Sequence, residues 1–117
     1  MEVESSPDLF VSIHFNASES SSATGIETIY RDDTDKPLAL ALQKYLLEGL
    51  NLRDRGIKND DIDLGRHLAV LSSPKTPSVI VEPGFISNPI DLEVIRDTKR
   101  VAEALLAGIV SWAARHT

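Results

Sequence analysis

Hydrophobic positions along this chain follow two rhythms, and the change from one to the other marks out the elements. Leu9 to Ile13 is apolar on nearly every residue, the pattern of a short strand covered on both faces. Gly25 to Tyr30 is a second strand, rich in β-branched residues, and Leu68 to Leu71 a third, shorter one. Ser78-Val79-Ile80-Val81 is a fourth, closed by Glu82 and broken by Pro83-Gly84. Helical spacing places Leu38, Leu42, Tyr45 and Leu46 on one stripe, with Lys44 and Glu48 outside it. That helix runs to about Leu50, with Thr34 or Asp35 as its cap and Pro37 in its first turn. Asn88-Pro89 opens a turn or short helix through Ile95. A last helix, from Thr98 to Arg115, buries Val101, Leu105, Ile109 and Trp112.

The stretches between carry no such rhythm. Ser18 to Thr24 is a serine-rich loop, and Asn51 to Gly65 reads as a charged connection. The link from Leu71 to Ser78 is too short for a parallel crossover, which needs a dozen or more residues, so those two strands would be a hairpin if adjacent. The expectation is an α/β fold: a mixed sheet of about four strands flanked by helices, in a single domain spanning 1–117.

Two strands end in residues with chemistry. Glu82 closes its strand where a carboxylate sits half out of the core, a costly place unless the group is paired, metal-bound or used. It fits a general base, and equally a glutamate that caps the Pro83-Gly84 turn or pairs with an arginine. His14 follows the Leu9–Ile13 strand, at the sheet end where ligand crevices form. A neutral imidazole there suits a metal, or simply a loop carbonyl. If the hairpin forms, His67 comes to the same end as Glu82, and a site using His14, His67 and an oxygen ligand is conceivable. Glu27, inside a strand, reads as a surface-facing carboxylate. No Gly-x-Ser-x-Gly elbow occurs, so a serine hydrolase is rejected.

Ser12-Ile13-His14-Phe15-Asn16-Ala17, Gly25 to Tyr30, Arg55-Gly56-Ile57-Lys58, Leu68 to Leu71 and Pro77 to Asn88, in this order, carry a family resemblance. From Pro7 onward the chain resembles the zinc-dependent N-acetylmuramoyl-L-alanine amidases, which cleave peptide stems from bacterial cell-wall glycan. The resemblance implies that His14 is the second zinc histidine and Glu82 the catalytic glutamate. It also implies that Asn16, Gly84, Ser87 and Asn88 shape the substrate cleft. The family's first zinc histidine lies in an Asp-Pro-Gly-His motif, with a ligand glutamate after it, and neither has a counterpart here. Ser72 stands where the family often has an arginine. The chain thus reads as a partial amidase catalytic domain with an incomplete zinc site. Two alternatives are a non-catalytic wall-binding or regulatory module, and an obligate subunit completed by another chain.

Composition narrows the partners. A net charge of −6 argues against nucleic acid. Hydrogen bonding to peptidoglycan is compatible with it. No cysteine is present, so disulfides and thiolate metal sites are excluded. The acidic start, Met1 to Ser6, lacks the apolar core of a signal peptide, and no apolar run is long enough to span a membrane. The resemblance nonetheless implies an extracytoplasmic site of action, in periplasm or cell wall. A sheet lacking its first strand would leave an open edge, favouring a dimer or a partner chain.

Overall fold

Alternation along the two central strands assigns the layers. The computed structural model describes residues 8–71 and 75–116. Strand β4, Ser78–Glu82, sends Val79 and Val81 to one face. There they meet Leu38, Leu42 and Leu46 of helix α1, Lys36–Leu50. Ile80 of β4 and Ile29 of β2, Ile26–Tyr30, point the other way and pack against Leu71, with Leu64 and Leu68 beside them. Helix α3, Thr98–Arg115, covers α1 with Val101, Ala104, Leu105 and Trp112. The short α2, Pro89–Ile95, adds Ile95 to the same core.

The sheet order is β1-β4-β2-β3, with β1 at Phe10–Ile13 and β3 at Asp54–Asn59. β4 runs parallel to β1 and antiparallel to β2, while β2 and β3 are parallel and joined through α1. A mixed four-stranded sheet flanked by helices is therefore present, as expected, but one of its strands is not the expected one.

Four expectations fail. Asn51–Gly65 is not simply a connection, because it contains β3. This strand sits at the sheet edge, held by backbone pairing to β2, and with so few apolar residues it carries no alternation to read. Leu68–Leu71 is not a strand: Ala69–Leu71 form a single 3-10 turn, and Leu68 and Leu71 are apolar because they cap Ile29 and Ile80. Nor does a hairpin form, since β1 and β2 already occupy both edges of β4. Finally, β1 is not covered on both faces. Among the described residues it has a neighbour on one side only, leaving Phe10 42% and Ile13 48% exposed.

Buried polar groups tie the layers together. Asp35 lies at the head of α1 but makes no side-chain cap; its carboxylate accepts from the backbone N–H of Ser78 at 2.8 Å and of Arg31 at 3.2 Å. Burial pushes its carboxyl above the usual range, against those backbone donors. Arg31 grips Asp60 through Nε at 3.1 Å and donates to the Leu68 carbonyl at 2.7 Å, pinning the 60–71 segment across the sheet. Burial alone would raise the Asp60 carboxyl, but the Arg31 guanidinium and the backbone N–H donors of Leu68 and Asp61 together hold it below its ordinary value.

The α1–α3 crossing depends on a missing side chain. A Cβ on Gly108 would meet Leu42 Cδ2 at 2.8 Å and Leu42 Cα at 3.1 Å. Gly108→Val is expected to cost about 1–3 kcal/mol in thermal unfolding; a loss under about 0.5 kcal/mol would show that the helices separate without penalty. Among the described residues, no helix is long and apolar enough to cross a membrane.

Candidate active site

Glu27 and Glu82 are register partners across the antiparallel β2–β4 pair. Both lie on the Ile29–Ile80 face of the sheet, opposite α1, because side chains two apart on a strand share a face. His14 follows β1, and its N–H donates to the Val81 carbonyl at 3.0 Å, continuing the parallel register past Ile13 and Val81. His14, Glu82 and Glu27 therefore stand in one row at one end of the sheet. The strand-end placement of His14 and Glu82 is as expected.

The loops after β1 and β4 are joined to each other. Asn16 N–H donates to the Gly84 carbonyl and Ile86 N–H to the Asn16 carbonyl, each at 2.8 Å, forming a bridge between Asn16 and Phe85. Asn16 Nδ2 donates to Glu82 Oε1 at 3.1 Å, so one loop holds the carboxyl of the other strand. Ser18 N–H donates to Ser87 Oγ at 3.0 Å. Asn88 caps α2, its Oδ1 accepting from Ile90 and Asp91, while Nδ2 donates to the Ser21 carbonyl at 3.0 Å. Gly84 does not have positive φ, and the position its Cβ would take lies 3.1 Å from Ile95 Cγ2 and 3.4 Å from Asp91 Oδ2. Its small size thus serves core packing.

Glu82 is half-buried, and its carboxyl is pushed up to about 7. Burial is the main cause, and the neighbouring Glu27 carboxylate adds to it, while Arg66 and Arg55 pull the other way. A carboxyl near neutrality can both accept and return a proton at physiological pH. His14 is exposed, with Nε2 2.9 Å from Ser12 Oγ. His67 is also exposed and pairs with Asp61 at 3.2 Å. Among the described residues no three potential ligands gather to hold a metal, so the His14–His67 site does not form. Ser72 lies outside the described residues. A groove of about 370 Å³ between α1 and α3, against Tyr45 and Trp112, is lined by none of these candidates.

The sequence model of N-acetylmuramoyl-L-alanine amidase matches residues 2–111 of this chain. The chain belongs to this amidase family. It is 39% identical over 113 residues to the N-acetylmuramoyl-L-alanine amidase LytC of Bacillus subtilis, covering 90% of this chain and 21% of that protein. It is 37% identical over 112 residues to the uncharacterized protein YqiI of the same organism, covering 90% of this chain and 51% of YqiI. The chain thus spans about half the length of YqiI and about a fifth of LytC. Among solved structures, the catalytic domain of the amidase CwlV from Bacillus (Paenibacillus) polymyxa var. colistinus aligns with a TM-score of 0.78 at 32% identity. That alignment covers 92% of this chain and 58% of CwlV. CwlD of Clostridioides difficile, solved in complex with the GerS lipoprotein, aligns with a TM-score of 0.79 at 29% identity, covering 92% and 55%.

Set in this amidase fold, several residues matter that pattern reading missed. Glu27 is not surface-facing: it is 7% exposed, beside Arg55 and Lys58 of β3. Its signal was a carboxylate inside a short strand of otherwise uncharged, mostly β-branched residues. Arg55 also lies 5.1 Å over the Phe85 ring. Asp91, fully buried, accepts from the N–H groups of Gly25 and Phe85, both at 2.9 Å, and from Thr24 Oγ1 at 2.5 Å. It ties the entry of β2 to the loop behind Glu82. Only the Asn88-Pro89-x-Asp91 spacing, an N-cap followed by an acid in the first turn, hinted at it.

Proposed function

We propose that this chain is the Glu82-bearing part of a peptidoglycan hydrolase that cleaves the amide between the lactyl group of N-acetylmuramic acid and L-alanine, outside the cytoplasm. The observation that carries the reading is Glu82 itself: half-buried at a strand end, its carboxyl near 7, and held by Asn16. As a carboxylate it takes a proton from the attacking water while the oxygen bonds to the amide carbon. It then returns that proton to the departing L-alanine nitrogen as the C–N bond breaks. Asn16 holds the carboxyl for both transfers, and Ser87 and Gly84 form the cleft wall beside it. Asn88 supports that wall through its cap and its bond to Ser21.

The family's zinc would polarise the scissile carbonyl and acidify the water when bound. A tetrahedral zinc needs more donors than the described residues bring together, and His14 alone fits the role. The zinc set is thus incomplete in these residues, and the proton transfers above are assigned without it. The exposed β1 edge, with Phe10 and Ile13 beside His14, favours completion by a further segment or a second chain laid along it.

Calorimetric titration of the metal-free chain tests His14. Zinc is expected to bind more weakly than about 1 μM, and His14→Ala to remove the heat of binding. Sub-micromolar binding that survives the substitution would overturn the assignment. The activity is tested by following the release of L-alanine amino groups from peptidoglycan by the full-length, zinc-replete protein. Glycan binding without release would favour a wall-binding module instead.

A further inference from the structure

Glu27 is a buried carboxylate beside Glu82, and charged groups of β3 hold it there. It sits opposite Glu82 in the antiparallel register, on the same face of the sheet. From β3, Arg55 Nε approaches its Oε1 at 3.6 Å and Lys58 Nζ at 3.8 Å. Arg55 is itself fixed by the Thr24 carbonyl at 3.3 Å and by the Phe85 ring, and Lys58 donates to the Arg55 carbonyl. Arg55 Nε is buried with no hydrogen-bond partner among the described residues, which leaves its charge directed at Glu27. Two like charges side by side in a sheet repel. Pairing with Arg55 and Lys58 accounts for a carboxylate on β2, but not for its placement directly opposite a second carboxylate.

We propose that Glu27 is a positioning residue for Glu82: anchored from β3 by Arg55 and Lys58, it holds the Glu82 carboxyl between itself and Asn16 and so fixes which oxygen faces the cleft. The charged groups around Glu82 are then Glu27 from β2, Arg55 and Lys58 from β3, and Arg66 from the covering segment. The role rests on the proposed amidase reading, in which Glu82 moves the proton.

The test has two arms. In the first, this chain is melted at pH 8 as wild type, Glu27→Gln, Glu82→Gln and the double variant. Glu27→Gln relieves repulsion in the wild type while losing Arg55 and Lys58; in the Glu82→Gln background only the loss remains. Its melting temperature is therefore expected to fall by about 3–5 °C more in that background. Equal changes in both backgrounds would overturn the proposal. In the second arm, full-length zinc-replete enzyme carrying Glu27→Gln should show kcat lowered roughly tenfold at unchanged KM; unchanged kcat would overturn it. Should the wild-type enzyme release no L-alanine, the amidase reading fails, while the melting arm still decides whether Glu27 holds Glu82.

Discussion

Glu82→Gln is expected to make this protein more stable at pH 8 while sharply lowering its activity at every pH. The stability gain follows from the raised carboxyl, which goes from its ordinary 4.5 to about 7 in the fold. Between those values the folded state holds a proton that the unfolded chain has lost. The group's contribution is therefore fully present below about 4.5 and disappears as pH rises through 7. At about 1.4 kcal/mol per pH unit, and discounted for partial exposure, the wild type forgoes about 2–3 kcal/mol at pH 8. Glutamine carries no charge to desolvate. Its Oε1 keeps the bond from Asn16, and its amide can donate to Glu27. Thermal unfolding should place the variant about 10 °C above wild type at pH 8 and level with it at pH 4. The same offset at both pH values would rule out the titration of Glu82 as its cause. In full-length enzyme the variant should lose a factor of about 10²–10⁴ in kcat, since no group remains to carry the proton. Residual activity within a few-fold of wild type would remove Glu82 from the chemistry. Gain of stability with loss of function is the signature of a group retained for catalysis.

Asp91→Ala should have the largest effect on folding. The carboxylate is fully buried and serves two backbone N–H groups and the Thr24 hydroxyl. Alanine would leave those donors buried without an acceptor, each at about 1–3 kcal/mol. A total of about 3–5 kcal/mol is expected, read as the shift in urea midpoint at unchanged slope. Asp91→Asn keeps one acceptor oxygen but turns an amide N–H₂ toward a donor, so it should recover only part of the loss. A loss below about 1 kcal/mol for alanine would show that water replaces the carboxylate, and that the loop behind Glu82 does not depend on it.

Local pattern determined much of this protein. The stripes of α1 and α3, the strands ending at Ile13 and Glu82, and the start of α2 at Asn88-Pro89 were legible because each depends on neighbours within a turn or a strand. His14 and Glu82 could be singled out for the same reason: a strand that stops at a polar residue delivers it to the sheet's end. Edge strand β3 was not legible, because backbone pairing to β2 holds it and backbone pairing leaves little trace in side-chain pattern. Leu68 and Leu71 were misread because a plug over Ile29 and Ile80 and a strand have the same apolar composition. The exposure of β1 depends on which strands lie beside it, a property of the sheet order alone. The pairing of Glu27 with Glu82 joins residues far apart in the chain through an antiparallel register that no local spacing encodes. The same holds for Asp91, whose acceptors reach across to Thr24 and Gly25. Sequence could therefore single out the Glu82 carboxyl, and only the tertiary structure decided what surrounds it, because burial and charge at Glu82 come from strands that meet it in space.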